Sequence, residues 1–196
     1  ISQPLPVMTA ANHVLVEPRL HDLGDGFVVR RLLPSAARRR VGPFVFFDHI
    51  GPVALAAGKG MDVRPHPHIG LATVTYLYEG ALTHHDSLGF EQVIRPGDVN
   101  WMTAGRGIVH SERTPAPERA SGHRMHGIQT WVALPLAHEE AEPGFFHHAA
   151  DSLPARELAG VRLRVIAGEA FGLRSPVAVF APTLYVDVEF LRAGRL

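Results

Sequence analysis

The sequence holds no cysteine, and only one of its 19 basic side chains, Lys59, is a lysine. Without thiols there is no disulfide framework, no thiolate nucleophile, no iron–sulfur cluster and no cysteine-based zinc site. Metal or acid–base chemistry must then rest on His, Asp and Glu. Neither sign of charge is in excess, since 19 basic side chains are matched by 19 acidic ones. That balance argues against a protein that works by neutralising phosphates. The one basic run, Arg38-Arg39-Arg40, follows a Pro34-Ser35 turn and reads as a solvated loop, so no direct contact with nucleic acid is expected. No apolar stretch reaches the ~18 residues needed to cross a bilayer, so no membrane partner is expected. The lack of disulfides favours a cytoplasmic location.

What the sequence has in quantity is histidine, 13 in all, more than Met, Trp and Tyr combined. At 46% hydrophobic and 19% charged, the 196 residues have a globular composition with room for one large domain or two small ones. Gly and Pro fall at short intervals, and the stretches between them are rich in Val, Ile, Leu, Thr, Phe and Tyr. This rhythm predicts an all-β fold, with strands over 27–32, 44–47, 71–78, 81–86, 91–94, 99–102, 108–112, 127–134, 161–166 and 184–190. Spacings near ten residues suit an antiparallel sandwich or barrel. Helical turns are expected only over 136–142 and 152–158. An acidic, proline-bearing shift in composition places a linker at 136–144, between an N-terminal metal-binding domain (1–135) and a shorter segment (145–196).

The chemical signal lies between Arg64 and Arg113. His66 and His68 bracket Pro67, and residues two apart on a strand point to the same face, so both imidazoles can reach one point. The same geometry recurs in His110-Ser111-Glu112. Two such pairs on neighbouring antiparallel strands present three imidazoles and one carboxylate, a set that suits iron(II), manganese, nickel, copper or zinc. The same spacing also fits solvent-facing histidines on a polar sheet face. Of the other histidines, either His84 or His85 is expected to face the pocket or support a ligand, because alternation keeps both from pointing inward. His49 reads as a loop-structuring partner of Asp48. His123, His126, His138, His147 and His148 lie in turn-like or linker-like sequence and carry no assigned role. Ala104-Gly-Arg-Gly107 lacks the Gly-Lys-Ser/Thr ending of a phosphate loop and reads as a tight turn.

The surrounding sequence resembles the pirin family of the cupin superfamily. The resemblance is carried by 64–80, opening Arg-Pro-His-Pro-His-Ile-Gly, by Thr83-His-His-Asp-Ser-Leu-Gly89, and by 95–112, closing Gly-Ile-Val-His-Ser-Glu. It continues in Phe44-Val-Phe-Phe-Asp-His-Ile-Gly51 upstream and Gly127-Ile-Gln-Thr-Trp-Val-Ala-Leu-Pro135 downstream, and covers most of 20–135. The resemblance implies a cupin (jelly-roll) β-barrel followed by an incomplete second cupin domain, which opens at 182–194. It implies one iron(II) held by His66, His68, His110 and Glu112; iron is favoured on that ground, with manganese, nickel, copper or zinc compatible. Many pirins carry a glutamate where this chain has Ala72, a difference that bears on pocket polarity. The chain is expected to be a C-terminally short member, with 145–196 packed onto the first barrel or paired with a second copy as a homodimer.

The activity implied is that of a mononuclear non-haem iron dioxygenase of the quercetin 2,3-dioxygenase type, acting on a small planar aromatic substrate, a flavonol. Glu112 would then be both ligand and catalytic acceptor of the flavonol hydroxyl proton. Phe46, Phe47, Trp101, Met102 and Ile108 are candidates for the apolar wall, although a sandwich interior needs such residues in any case. The alternative implied is a non-catalytic, iron-dependent redox-sensing regulator that binds a protein partner, either a transcription factor or a metabolic enzyme.

Overall fold

The computed structural model describes residues 14–24 and 26–193. Among these the chain runs through β1 (Arg19–Asp22), β2 (Val28–Leu33), β3 (Phe44–Leu55), β4 (Asp62–His68), β5 (Leu71–Glu79), β6 (Leu82–Asp86), β7 (Glu91–Ile94), β8 (Val99–Thr103) and β9 (Ile108–Arg113). After a short helix α1 (Ala116–Ser121) come β10 (His123–Ala133), β11 (Gly144–His148), β12 (Ala155–Leu158), β13 (Val161–Ala167), β14 (Glu169–Ala170), β15 (Leu173–Arg174) and β16 (Tyr185–Phe190). A seven-stranded sheet of order β1-β2-β3-β10-β5-β8-β11 faces a four-stranded sheet of order β4-β9-β6-β7. This is the all-β cupin sandwich that the motifs lead one to expect.

The two sheets meet across a buried cluster in which Val29, Ile50, Leu77 and Met125 from the larger sheet touch Leu82 and Ile94 from the smaller one. The larger sheet is also covered on its other face. There Ala72, Val74 and Tyr76 of β5, with Val99 and Trp101 of β8, pack against Leu153, Ile166, Ala167 and Val177. Burial on both sides explains why β5 is buried without interruption from Ala72 to Leu77 rather than alternating. β11 joins the edge of this sheet beside β8. Beyond it, β12, β13 and β16 form a three-stranded sheet. That sheet is tied to the barrel where Tyr76 Oη donates to Asp187 Oδ2 at 2.8 Å and Arg164 Nη1 donates to Tyr76 Oη at 3.1 Å.

Three local features depart from the sequence expectation. Residues 152–158 are not helical: a 3-10 turn at Ala150–Ser152 stops before Pro154, and Ala155–Leu158 is an exposed edge strand paired with β13. Helix α1 was not anticipated because it buries no residue and so has no apolar periodicity; prolines in and just before its first turn set the entry. β4 carries Pro65 and Pro67, which ordinarily argue against a strand. It lies at the edge of its sheet, pairing only with β9, and its register shifts between Val63 and His66, so the missing N–H groups cost no central ladder bond. The 104–107 turn is tight, with Gly107 N–H donating to the Ala104 carbonyl at 2.9 Å. Gly105 there has φ +51°, and any Cβ would overlap the Ala141 carbonyl.

Candidate metal centre

The register of the four-stranded sheet assembles the site. On β4 and β9, His66 lies opposite His110; on β9 and β6, Glu112 lies opposite His84 and His110 opposite Asp86. All these positions, with His68, share the face turned toward the larger sheet. One ring nitrogen from each of His66, His68 and His110 lies within 4.8 Å of the other two. His66 Nδ1–H donates to the Arg64 carbonyl at 2.8 Å, which leaves Nε2 as the free nitrogen of that ring. His68 Nε2 and His110 Nε2 are both buried and have no hydrogen-bond partner.

A buried polar atom without a partner is costly, and two converging on one point with a third nitrogen beside them mark a place built for a ligand. Two of the donors are also held in the right protonation state. Burial, aided by the neighbouring His66, lowers the His68 pKa to about 4. Burial together with His66, His68 and His84 lowers that of His110 to about 2. Neutral imidazoles at His68 and His110, with His66 beside them, suit a divalent first-row metal, and such an ion would supply the partner that the orphaned nitrogens lack.

Glu112 faces the same cavity and is 6% exposed, but its carboxylate is not among the atoms that converge. Thr75 Oγ1 stands 3.1 Å from Glu112 Oε1 and 2.7 Å from Gln129 Oε1, and its single hydrogen serves one acceptor at a time. Burial pushes the Glu112 pKa up, opposed by Thr75 and by His66. The structure thus brings the three histidines together and holds the fourth expected ligand to one side.

The cavity has a volume of about 240 Å³. Its apolar wall differs from the sequence expectation. Phe46 lines it, stacked on Trp131 at 4.0 Å, and Trp131 in turn meets the His68 ring edge-on at 4.9 Å. Arg31 lies over Phe46 at 4.4 Å, held by two hydrogen bonds of 2.8 Å to Asp48. Trp101 is not in this wall, because strand alternation turns it to the outer cluster. Met102 and Ile108 pack with Ala104 and Phe145 instead, and Phe47 is not among the lining residues. Trp131 and Gln129 stand in the quoted 127–135 motif, where alternation about Gln129 was the available signal. Thr75 gave none, since it reads as one more strand threonine.

Of the two adjacent histidines, His84 is buried and His85 is exposed, 3.4 Å from Glu91. His84 Nε2 lies 2.8 Å from Asp86 Oδ2, its Nδ1 lies 3.4 Å from His110 Nδ1, and its ring stacks on Phe145 at 4.1 Å. His49 is on strand β3 rather than in a loop, and its Nε2 is 2.9 Å from His126 Nε2.

The lowered histidine pKa values set how the metal-free protein responds to acid. The unfolded chain takes up protons near 6.5, whereas the folded chain keeps His68 neutral to about 4 and His110 to about 2. Below 6.5 the unfolded state therefore binds more protons. Stability falls with pH by about 1.4 kcal/mol per unit for each such group until its folded pKa is reached. Glu112 acts in the opposite sense, since its raised pKa makes the unfolded chain release that proton first. Burial also lowers the pKa of His49, His84, His126 and His148, so the histidines outnumber it. The urea midpoint of metal-free protein is expected to be lower at about pH 5 than at about pH 7.5; an equal or higher midpoint would contradict the burial of these rings.

A profile of the family described as Pirin matches residues 26–132. A pirin-like protein of Caulobacter vibrioides is 54% identical over 179 residues, covering 90% of this chain and 62% of that protein. Two solved structures of quercetin 2,3-dioxygenase from Acinetobacter baumannii superpose with TM-scores of 0.82 and 0.80, at 45% and 34% identity. Each is matched over 88% of this chain, and over 56% and 62% of its own length, so the chain spans little more than half of these relatives.

Proposed function

The chain belongs to the pirin family of cupin proteins, and from that premise we propose that it is a mononuclear metal protein of the quercetin 2,3-dioxygenase type. His66, His68 and His110 would hold the ion, with Glu112, which lines the same cavity, as the fourth candidate ligand. The observation that carries this reading is the pair of buried, unpartnered Nε2 atoms on His68 and His110, in rings that with His66 bring one nitrogen each within 4.8 Å of one another. Iron(II), the ion that the resemblance to pirins favours, would supply Lewis-acid and dioxygen chemistry when bound.

The chain's own residues define what that chemistry would act on. The Phe46–Trp131 stack offers a flat apolar wall beside His68, suited to a planar aromatic ring. Glu112 Oε1, in a buried setting that raises its basicity, is placed to take a hydroxyl proton from such a ring. The Arg31–Asp48 pair is self-neutralised, so it closes one side of the cavity without offering a free charge to a substrate.

The test is anaerobic iron(II) loading of the purified chain with metal analysis, followed by an absorbance assay for flavonol loss on admitting air. One iron per chain and flavonol consumption support the proposal; failure to take up iron stoichiometrically refutes it. Stoichiometric iron with no flavonol loss, joined to a protein partner whose binding is abolished in His66→Ala, moves the reading to an iron-dependent regulator.

A further inference from the structure

We infer that Asp86 and His84 are positioning residues that dictate which nitrogen of His110 carries the proton and so leave its cavity-side nitrogen free. The hydrogen-bond chain stands on the structure alone; its consequence for metal binding rests on the reading above.

The chain begins at a fixed acceptor. Asp86 Oδ1 accepts the backbone N–H groups of Leu88 at 2.9 Å and Phe90 at 3.1 Å, which pins the carboxylate at the β6–β7 turn. Its other oxygen, Oδ2, lies 2.8 Å from His84 Nε2. A carboxylate accepts, so the proton of the His84 ring sits on Nε2. A neutral imidazole has one N–H, so His84 Nδ1 is then an acceptor. That nitrogen lies 3.4 Å from His110 Nδ1, which therefore carries the proton of its own ring. His110 Nε2 is left with a bare lone pair; it is buried and unpartnered, in a ring whose centre stands 4.5 Å from that of His66 and 5.1 Å from that of His68.

The geometry allows little slack along this path. His84 stacks on Phe145 at 4.1 Å with an interplanar angle of 11°, which holds the plane of its ring, and the 2.8 Å contact with Asp86 fixes which edge it presents. Asp86 sits directly across the ladder from His110, and His84 directly across from Glu112. Reversing the hydrogen bond at Asp86 would therefore reverse every bond after it and place a proton on His110 Nε2, the atom a metal needs free.

Asp86→Asn tests this. The amide oxygen keeps an acceptor for the Leu88 and Phe90 N–H groups, while the NH2 donates to His84 Nε2. His84 must then carry its proton on Nδ1 and donate to His110. Long-range 1H–15N NMR on metal-free protein at neutral pH should show His110 protonated at Nδ1 in the parent and at Nε2 in the variant. Iron(II) affinity, read anaerobically by competition with a chelator, should fall 10- to 100-fold, the usual loss when such a partner is altered. His84→Phe is the second variant: it preserves a flat ring against Phe145, removes both hydrogen bonds, and should leave His110 as a mixture of tautomers. His110 still protonated at Nδ1 in folded Asp86→Asn, or a single unchanged tautomer in His84→Phe, overturns the inference. A parent protein that binds no iron overturns the metal reading instead, and the tautomer readout still decides the relay.

Discussion

Replacing His66 with alanine is expected to lower iron(II) affinity at least ~100-fold, or about 2.7 kcal/mol, while barely moving the melting temperature. The separation of the two effects follows from where each histidine sits. His110 is 2% exposed and His68 is 7% exposed, so truncating either leaves a hole and strands neighbours such as the His84 ring. His66 is only half-buried, on an edge strand between two prolines, and its one hydrogen bond is to the Arg64 carbonyl two residues away. Its removal therefore deletes a donor nitrogen and little else. Loss of a ligand should cost more than loss of a residue that only orients one, which sets the lower bound. Chelator competition gives the affinity and circular dichroism the melting point; an affinity within a few-fold of the parent would exclude His66 from the ligand set.

The second large effect concerns the fold. Leu77→Ala should destabilise by ~3–5 kcal/mol, with a fall of roughly 10 °C in Tm. Leu77 is 0% exposed and lies in the cluster where the two sheets meet, between Ile50 and Met125 on one side and Leu82 and Ile94 on the other. Gly127 is close enough that its ideal Cβ would come 2.6 Å from Leu77 Cδ2, so the surroundings are already fitted to that side chain and have little freedom to collapse into the space left. Val109→Ala on β9 is the contrast: at 43% exposed and flanked by the candidate ligand His110, it should stay within about 0.5 kcal/mol of the parent. Equal losses at the two positions would mean that the sheets do not share the interior described.

Much of the sandwich is legible in the sequence because turn residues punctuate it. Glu79-Gly80 and Pro96-Gly97 fall within two residues of the end of β5 and the start of β8. The pairing of His66 with His68, and of His110 with Glu112, could be read from the two-residue period alone. Three kinds of information were not local. The side on which Trp101 sits depends on which sheet face β8 presents, and β8 and β5 are buried on both faces, so hydropathy does not distinguish in from out. The strand at 62–68 contradicts the usual reading of proline, and becomes possible because, among the described residues, it lies at the edge of its sheet. The standing-off of Glu112 depends on Thr75, 37 residues away in sequence, which no motif connects to it.

The column that runs from Asp48 through Arg31, Phe46 and Trp131 to His68 has a further use to the experimenter. The chain has two tryptophans, and only Trp131 touches the candidate centre; Trp101 lies in the cluster on the opposite face of the sheet. A paramagnetic ion held by His68 would sit beside one indole, while the other lies across the sheet from it. The emission spectrum of the unlabelled protein should then divide into a fraction that dims as the centre fills and a fraction that does not. Trp131→Phe, which keeps a ring against Phe46, should abolish the responsive fraction alone.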